Sequence, residues 1–178
     1  MDKYEKTLES SYIYQGKILS LRKDQVRLPN GKTAMREIVE HPGAVSIVPI
    51  TEEGKIIFVR QYRKPVEKET IEIPAGKLDQ GELPQDCAQR ELQEEIGFSG
   101  NLEYKFSYYS TPGFSDEIMY LFFARNLKIA PLTCDEDELI EKMEVSLDDA
   151  LHMIMQGEIV DAKTIIGILT LKQEGHCL

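Results

Sequence analysis

The chain has 178 residues, 42% hydrophobic and 29% charged, enough for one domain with its own core and no need of disulfide staples. Its 31 acidic and 21 basic residues leave a net charge of −10, which argues against a broad binder of nucleic-acid backbones or of anionic membranes. Polyanionic small molecules stay open, provided metal cations are recruited to meet them.

In chain order, residues 12–40 read as short strands around a hairpin, with Asn30-Gly31 as the turn between two extended segments. This stretch sets a small amino-terminal β segment, residues 1–40, apart from a domain over residues 41–178. Ala44–Ile50 is a β-branched apolar run and predicts a buried strand. Glu52–Lys55 predicts a turn, Ile56–Gln61 and Glu69–Ile73 predict strands, and Pro74-Ala75-Gly76 predicts a break. Leu83–Ile96 is the clearest helix: Pro84 fits its first position, Ala88, Leu92 and Ile96 make an apolar stripe, and Gly97 suits a left-handed stop. Strands follow at Leu102–Ser110, Ile118–Ala124 and Glu141–Val145. Ser146 caps a helix over Leu147–Gln156, and a last helix covers about Ala162–Gln173. The pattern predicts a mixed α/β domain.

Cys87, Cys134 and Cys177 are odd in number and scattered, which predicts free thiols in a reducing cytosol rather than a disulfide or zinc framework. His41, His152 and His176 have no metal-ligand spacing. Met1–Lys6 carries no apolar stretch of the kind a signal peptide needs. The longest apolar runs, such as Ile165–Leu171, fall short of the ~20 residues of a membrane helix. The expectation is a soluble cytoplasmic protein.

The clearest helix carries a charge pattern that local rules disfavour. Glu91 and Glu95 share a face at i, i+4 spacing, where like charges cost roughly 0.2–0.5 kcal/mol. Glu94 and Glu95 also occupy the last turn, where the helix dipole favours cations. Rules of this kind tend to be broken at functional sites. Carboxylate-only ligation suits Mg²⁺ or Mn²⁺ rather than zinc. Without context the same residues would be a solvated acidic face with Arg90 paired to Glu94.

Context is supplied by Gly76–Phe98, GKLDQGELPQDCAQRELQEEIGF. It resembles the box of the Nudix hydrolase family, G-x5-E-x7-R-E-U-x-E-E-x-G-U, where U is a bulky apolar residue. Gly76, Glu82, Arg90, Glu91, Glu94, Glu95 and Gly97 fill the fixed positions, with Leu92 and Phe98 at the apolar ones. Seven identities at usages of about 5–7% each put a chance match beyond roughly one in a million. The resemblance implies an α/β/α sandwich around a mixed sheet and hydrolysis of a nucleoside diphosphate linked to another moiety. It implies metal ligation by Glu91, Glu94 and Glu95 and by the carbonyl of Ala75, with Glu82 as an outer ligand. Arg90 would hold the acidic cluster by charge-assisted bonds.

Three flanks resemble the ADP-ribose pyrophosphatase subfamily: Arg36–Val45 with Val59–Arg63, Ser110–Glu117, and Asp135–Glu138. The resemblance runs from about Tyr12 to Leu171. It implies Mg²⁺-dependent hydrolysis of ADP-ribose to AMP and ribose 5-phosphate, with two or three ions and Mn²⁺ as a substitute. Arg63 and Arg36 would meet the pyrophosphate, Thr111 with Pro112 would shape the pocket for the terminal ribose, and Tyr14 or Ile18 would touch adenine. Glu37 and Glu117 would accept ribose hydroxyls or hold the fold. Glu136, with Glu138 as the fallback, would be the base that activates water. The resemblance also implies a homodimer with a swapped amino-terminal segment. The alternatives are a Nudix hydrolase for another nucleoside diphosphate sugar or a nucleoside triphosphate, and a Nudix-fold ADP-ribose sensor without catalysis.

Overall fold

The first hairpin turns at Asn30-Gly31. The Asn30 side chain accepts from the Lys32 amide at 3.0 Å, and Gly31 sits at φ +83. The computed structural model that shows this describes residues 3–133 and 139–175. The chain divides into two units, Met1–Gly43 with Tyr109–Ile118, and Ala44–Tyr108 with Met119–Leu178.

In the first unit, β1 (Lys6–Gln15), β2 (Ser20–Arg27) and β3 (Thr33–Glu40) form an antiparallel sheet in the order β1-β2-β3. Every residue of β1 is exposed, so no inside–outside alternation marks its start in the sequence. Buried Asp24 is met by the Ser10 hydroxyl at 2.7 Å and by Arg22 at 3.0 Å. The segment Thr111–Asp116 docks on β3 through Val39, whose amide donates to the Phe114 carbonyl and whose carbonyl accepts from the Asp116 amide.

In the second unit, β4 (Ala44–Pro49) is buried along its whole length. Beyond it come β5 (Ile56–Arg63), a 3₁₀ turn at Lys64–Val66, β6 (Lys68–Glu72) and β7 (Ala75–Lys77). Helix α1 (Pro84–Glu95) precedes β8 (Phe98–Tyr109), β9 (Ile118–Ile129) and β10 (Glu141–Val145), and α2 (Leu147–Gln156) and α3 (Ala162–Glu174) close the chain. One sheet runs β7-β4-β9-β8, with β4 parallel to β9 and antiparallel to β7; the other runs β10-β5-β6 and is antiparallel. Period-2 side chains on β4 and β5 feed two cores. Val45, Ile47, Ile57 and Val59 pack with Cys87, Ala88 and Leu92 of α1, while Val48, Ile50, Ile56 and Phe58 pack with Ala150, Ile168 and Leu171 of α2 and α3. Helix, sheet and helix layers result, so the expected mixed-sheet sandwich holds for this unit.

The structure corrects one expectation near the site. Pro74-Ala75-Gly76 does not simply break the pattern, because Ala75–Lys77 pairs with Ala44–Ser46 as β7. Turn-forming residue types hid a three-residue strand. Among the described residues, no helix is long and apolar enough to cross a membrane.

Candidate active site

Helix α1 begins on Pro84, whose missing N–H costs nothing at that position, and ends where Gly97 adopts φ +81. Its last turn holds no basic residue. A cation reaches it from β10 instead: Lys142 Nζ donates to the Ile96 carbonyl at 3.1 Å. The Leu132 amide donates to the Gln93 carbonyl, so another terminal carbonyl is also met from outside the helix.

Arg90 is the hub of the box. Its Nε and Nη2 grip Glu82 at 2.9 and 3.0 Å, while Nη1 donates to Glu91 at 2.6 Å and Glu94 at 2.9 Å. Nη2 also lies 3.3 Å from the Lys77 carbonyl. The Arg90 fork, helped by the Asp79 amide, holds the Glu82 carboxyl down at about 2. Hydrogen bonding to Glu82 and the charges around it raise the guanidinium's own pKa. Arg90 therefore bonds Glu82, Glu91 and Glu94 at once. Its pairing with Glu94 is one contact of several, and the face is not simply solvated.

Glu95 is buried and accepts from the Ala75 amide at 3.1 Å. Glu91 lies against Gly76 so closely that a Cβ built there falls 1.8 Å from its Oε1. Glycine at this point of β7 is what lets the carboxylate approach the strand. The structure thus brings Ala75, Gly76, Glu82, Arg90, Glu91, Glu94 and Glu95 together. Cys87 lies beneath them with its Sγ 3.5 Å from the Lys77 carbonyl, and burial pushes its thiol well above the usual range. Such a thiol is inert.

Among the described residues, no three His, Cys, Asp or Glu side chains stand grouped to enclose an ion unaided. The donor set still fits a hard divalent cation. It is all oxygen, it carries more carboxylates than Arg90 neutralises, and Mg²⁺ usually takes one or two carboxylates plus waters and substrate phosphates. Glu91, Glu94, Glu95 and the Ala75 carbonyl are the residues that would hold it.

The remaining expected residues are distributed as follows. Arg63 ends β5 and forks onto Glu72 at 2.8 and 2.7 Å. Arg36 on β3 spends its fork on Glu5, at 2.9 and 2.7 Å. Glu37 is exposed on β3, and Tyr14 and Ile18 are exposed in the same unit. The Thr111 carbonyl accepts from the Phe114 and Ser115 amides, forming the turn that holds Pro112. Glu117 accepts from the Ser110 hydroxyl at 2.5 Å and lies 3.5 Å from His41 Nδ1. That nitrogen also accepts from the Gly43 amide. Glu136 and Glu138 lie outside the described residues, as do Cys134, Cys177 and His176.

Sequence reasoning missed Glu72 and Lys163. Glu72 is 2% exposed, and Arg63, Thr70 and Lys163 all donate to its carboxylate. Burial pushes the Glu72 carboxyl up, but these partners outweigh it and hold it at about 2. The available signal was Thr70 and Glu72 alternating with Ile71 and Ile73, which puts a carboxylate on a face the strand buries.

The NUDIX domain model matches residues 40–165, and the model described as the nucleoside diphosphate sugar hydrolase N-terminal domain matches residues 5–39. The chain is 47% identical over 171 residues to an ADP-ribose pyrophosphatase of Bacillus subtilis, covering 94% of this chain and 92% of that protein. It is equally identical, with the same coverage, to a methanol dehydrogenase activator of Bacillus methanolicus. An ADP-ribose pyrophosphatase of Mycobacterium tuberculosis is 37% identical, covering 93% of this chain and 82% of its own. A crystal structure of an ADP compounds hydrolase superposes with a TM-score of 0.85 at 22% identity, covering 95% and 92% of the two chains.

Proposed function

The chain belongs to the Nudix family, and from that premise we propose that it hydrolyses the pyrophosphate bond of ADP-ribose, giving AMP and ribose 5-phosphate. The observation that carries this reading is the complete box, with Arg90 gathering three carboxylates beside the Gly76 cradle. It is supported by similarity over nearly the whole chain to proteins named ADP-ribose pyrophosphatase. A sensor without catalysis is disfavoured because every box carboxylate is kept.

We assign Glu91, Glu94, Glu95 and the Ala75 carbonyl as ligands of Mg²⁺, two or three ions, with Mn²⁺ as a substitute. When bound, the metal polarises the phosphoryl oxygens and lowers the pKa of a coordinated water. Arg90 fixes the carboxylates before substrate arrives, so no reorganisation is spent at the moment of reaction. Arg63 draws in the pyrophosphate. Arg36, Glu37, Thr111 and Glu117 are the further proposed substrate contacts. Glu136, or Glu138 in its place, takes a proton from the attacking water. One P–O bond forms to that water as the bridging P–O bond breaks.

Glu136→Gln is expected to lower turnover by roughly 10²–10⁴-fold with ADP-ribose still bound; undiminished turnover would remove it as the base. The reading places the protein in the cytoplasm as a homodimer with its amino-terminal segment exchanged. Sedimentation should then give twice the monomer's 20.3 kDa, and a monomer mass contradicts the exchange.

A further inference from the structure

We propose that Glu72 is the positioning residue for Arg63: it locks one edge of the guanidinium so that the other is presented to a phosphoryl oxygen of the substrate. This rests on the proposed role of Arg63 as a phosphate contact. Of the five N–H donors on an arginine, Glu72 takes one on Nε at 2.8 Å and one on Nη2 at 2.7 Å, leaving three. The Arg63 side chain is 42% exposed, against 3% for Glu72, so the bond is made to a buried carboxylate by a side chain that still reaches solvent. A planar fork held on one side is the arrangement that recognises a phosphate on the other with little loss of rotamer freedom.

The carboxylate is itself fixed from two further directions. The Thr70 hydroxyl donates to Oε1 at 2.6 Å, and Lys163 donates to Oε2. Lys163 also lies 3.1 Å from Asp161, which caps α3 by accepting from the Thr164 amide at 3.0 Å. Glu72 is thereby anchored to its own strand and to the first turn of α3, and Arg63 inherits that rigidity. Arg63, Thr70, Glu72 and Lys163 line an open depression of about 430 Å³. The bonds to Glu72 come first in raising the Arg63 pKa, and the Glu95 charge adds to the effect, which puts the guanidinium within electrostatic reach of a box carboxylate.

A buried carboxylate that only supports the fold would leave different kinetics from one that acts through Arg63. The test is a double-mutant cycle on the metal-loaded enzyme with ADP-ribose. Arg63→Ala and Glu72→Gln should each raise KM about tenfold or more with kcat little changed, as expected for lost ground-state binding. The double variant should be no worse than Arg63→Ala alone. Glu72→Asp keeps the charge but draws the carboxylate back by one methylene. It should fold with a Tm close to the parent's and still raise KM, which covers the case where Glu72→Gln does not fold. Effects of the two single changes that multiply overturn the proposal, as does an unchanged KM in Glu72→Asp. A second readout needs no substrate: the Arg63 Nε–H resonance in a ¹⁵N spectrum should be sharp in the parent and exchange-broadened in Glu72→Asp, and an unaltered resonance overturns the lock. If ADP-ribose is not turned over at all, the functional reading fails separately, and the resonance still decides whether Glu72 fixes Arg63.

Discussion

Gly76 shows what a single missing side chain permits. Glu91 occupies the space that a Cβ would fill, and the overlap at 1.8 Å is too severe for a small shift to relieve. Gly76→Ala should therefore displace the Glu91 carboxylate while leaving β7, only three residues long, at little cost to the fold. A displacement near 1 Å at a reacting centre can cost roughly 10²-fold, and that is the loss in kcat/KM expected for this variant, with thermal denaturation as the control. Activity equal to the parent would mean that Glu91 need not stand where it does. The same scale shows what the sequence conveyed and what it did not. The box positions identified the carboxylates and Arg90, because spacing on one helix and one loop is a local property. Glu72 and Lys163 stand 91 residues apart, and no local pattern joins them. Arg36 was legible as a cation but its fork onto Glu5 was not.

At the scale of elements, helix boundaries were well signalled because their caps are written in residue types. Ser146 accepts from the Asp149 amide at 3.1 Å, and Gly157 at φ +76 closes α2 where the sequence places its end. Ser146→Ala should lower stability by about 1 kcal/mol without altering kcat, measured by denaturant unfolding; an unchanged midpoint would show that Leu147–Gln156 is held by packing alone. Strand limits were less legible. β1 begins at Lys6 rather than near Tyr12 because none of its side chains is buried, and β7 hides in a Pro-Ala-Gly run because pairing with β4 overrides residue preference. The acidic end of α1 is tolerated for a reason beyond any sequence window, since its cation, Lys142, comes from β10.

At the scale of the whole molecule, a net charge of −10 sets the terms on which a pyrophosphate substrate can be held. Under the proposed function, attraction comes from local cations: metal on the box carboxylates, and Arg63, which Glu72 holds by two hydrogen bonds. The layered core supplies the rigidity, because Cys87, Ala88 and Leu92 of α1 pack with Val45, Ile47, Ile57 and Val59, and Glu95 is buried on the same helix. A mixed α/β domain was thus legible from periodicity, and the layered sandwich and the clustering of the box side chains from the resemblance of the box. The most direct test is a substrate panel of ADP-ribose, ADP-glucose, GDP-mannose, NADH, a diadenosine polyphosphate and 8-oxo-dGTP, with Mg²⁺ or with a chelator, following products by chromatography. Metal-dependent release of AMP and ribose 5-phosphate from ADP-ribose is expected, with kcat/KM well above the rest. A higher kcat/KM for another compound, or turnover that survives the chelator, would contradict the proposed function.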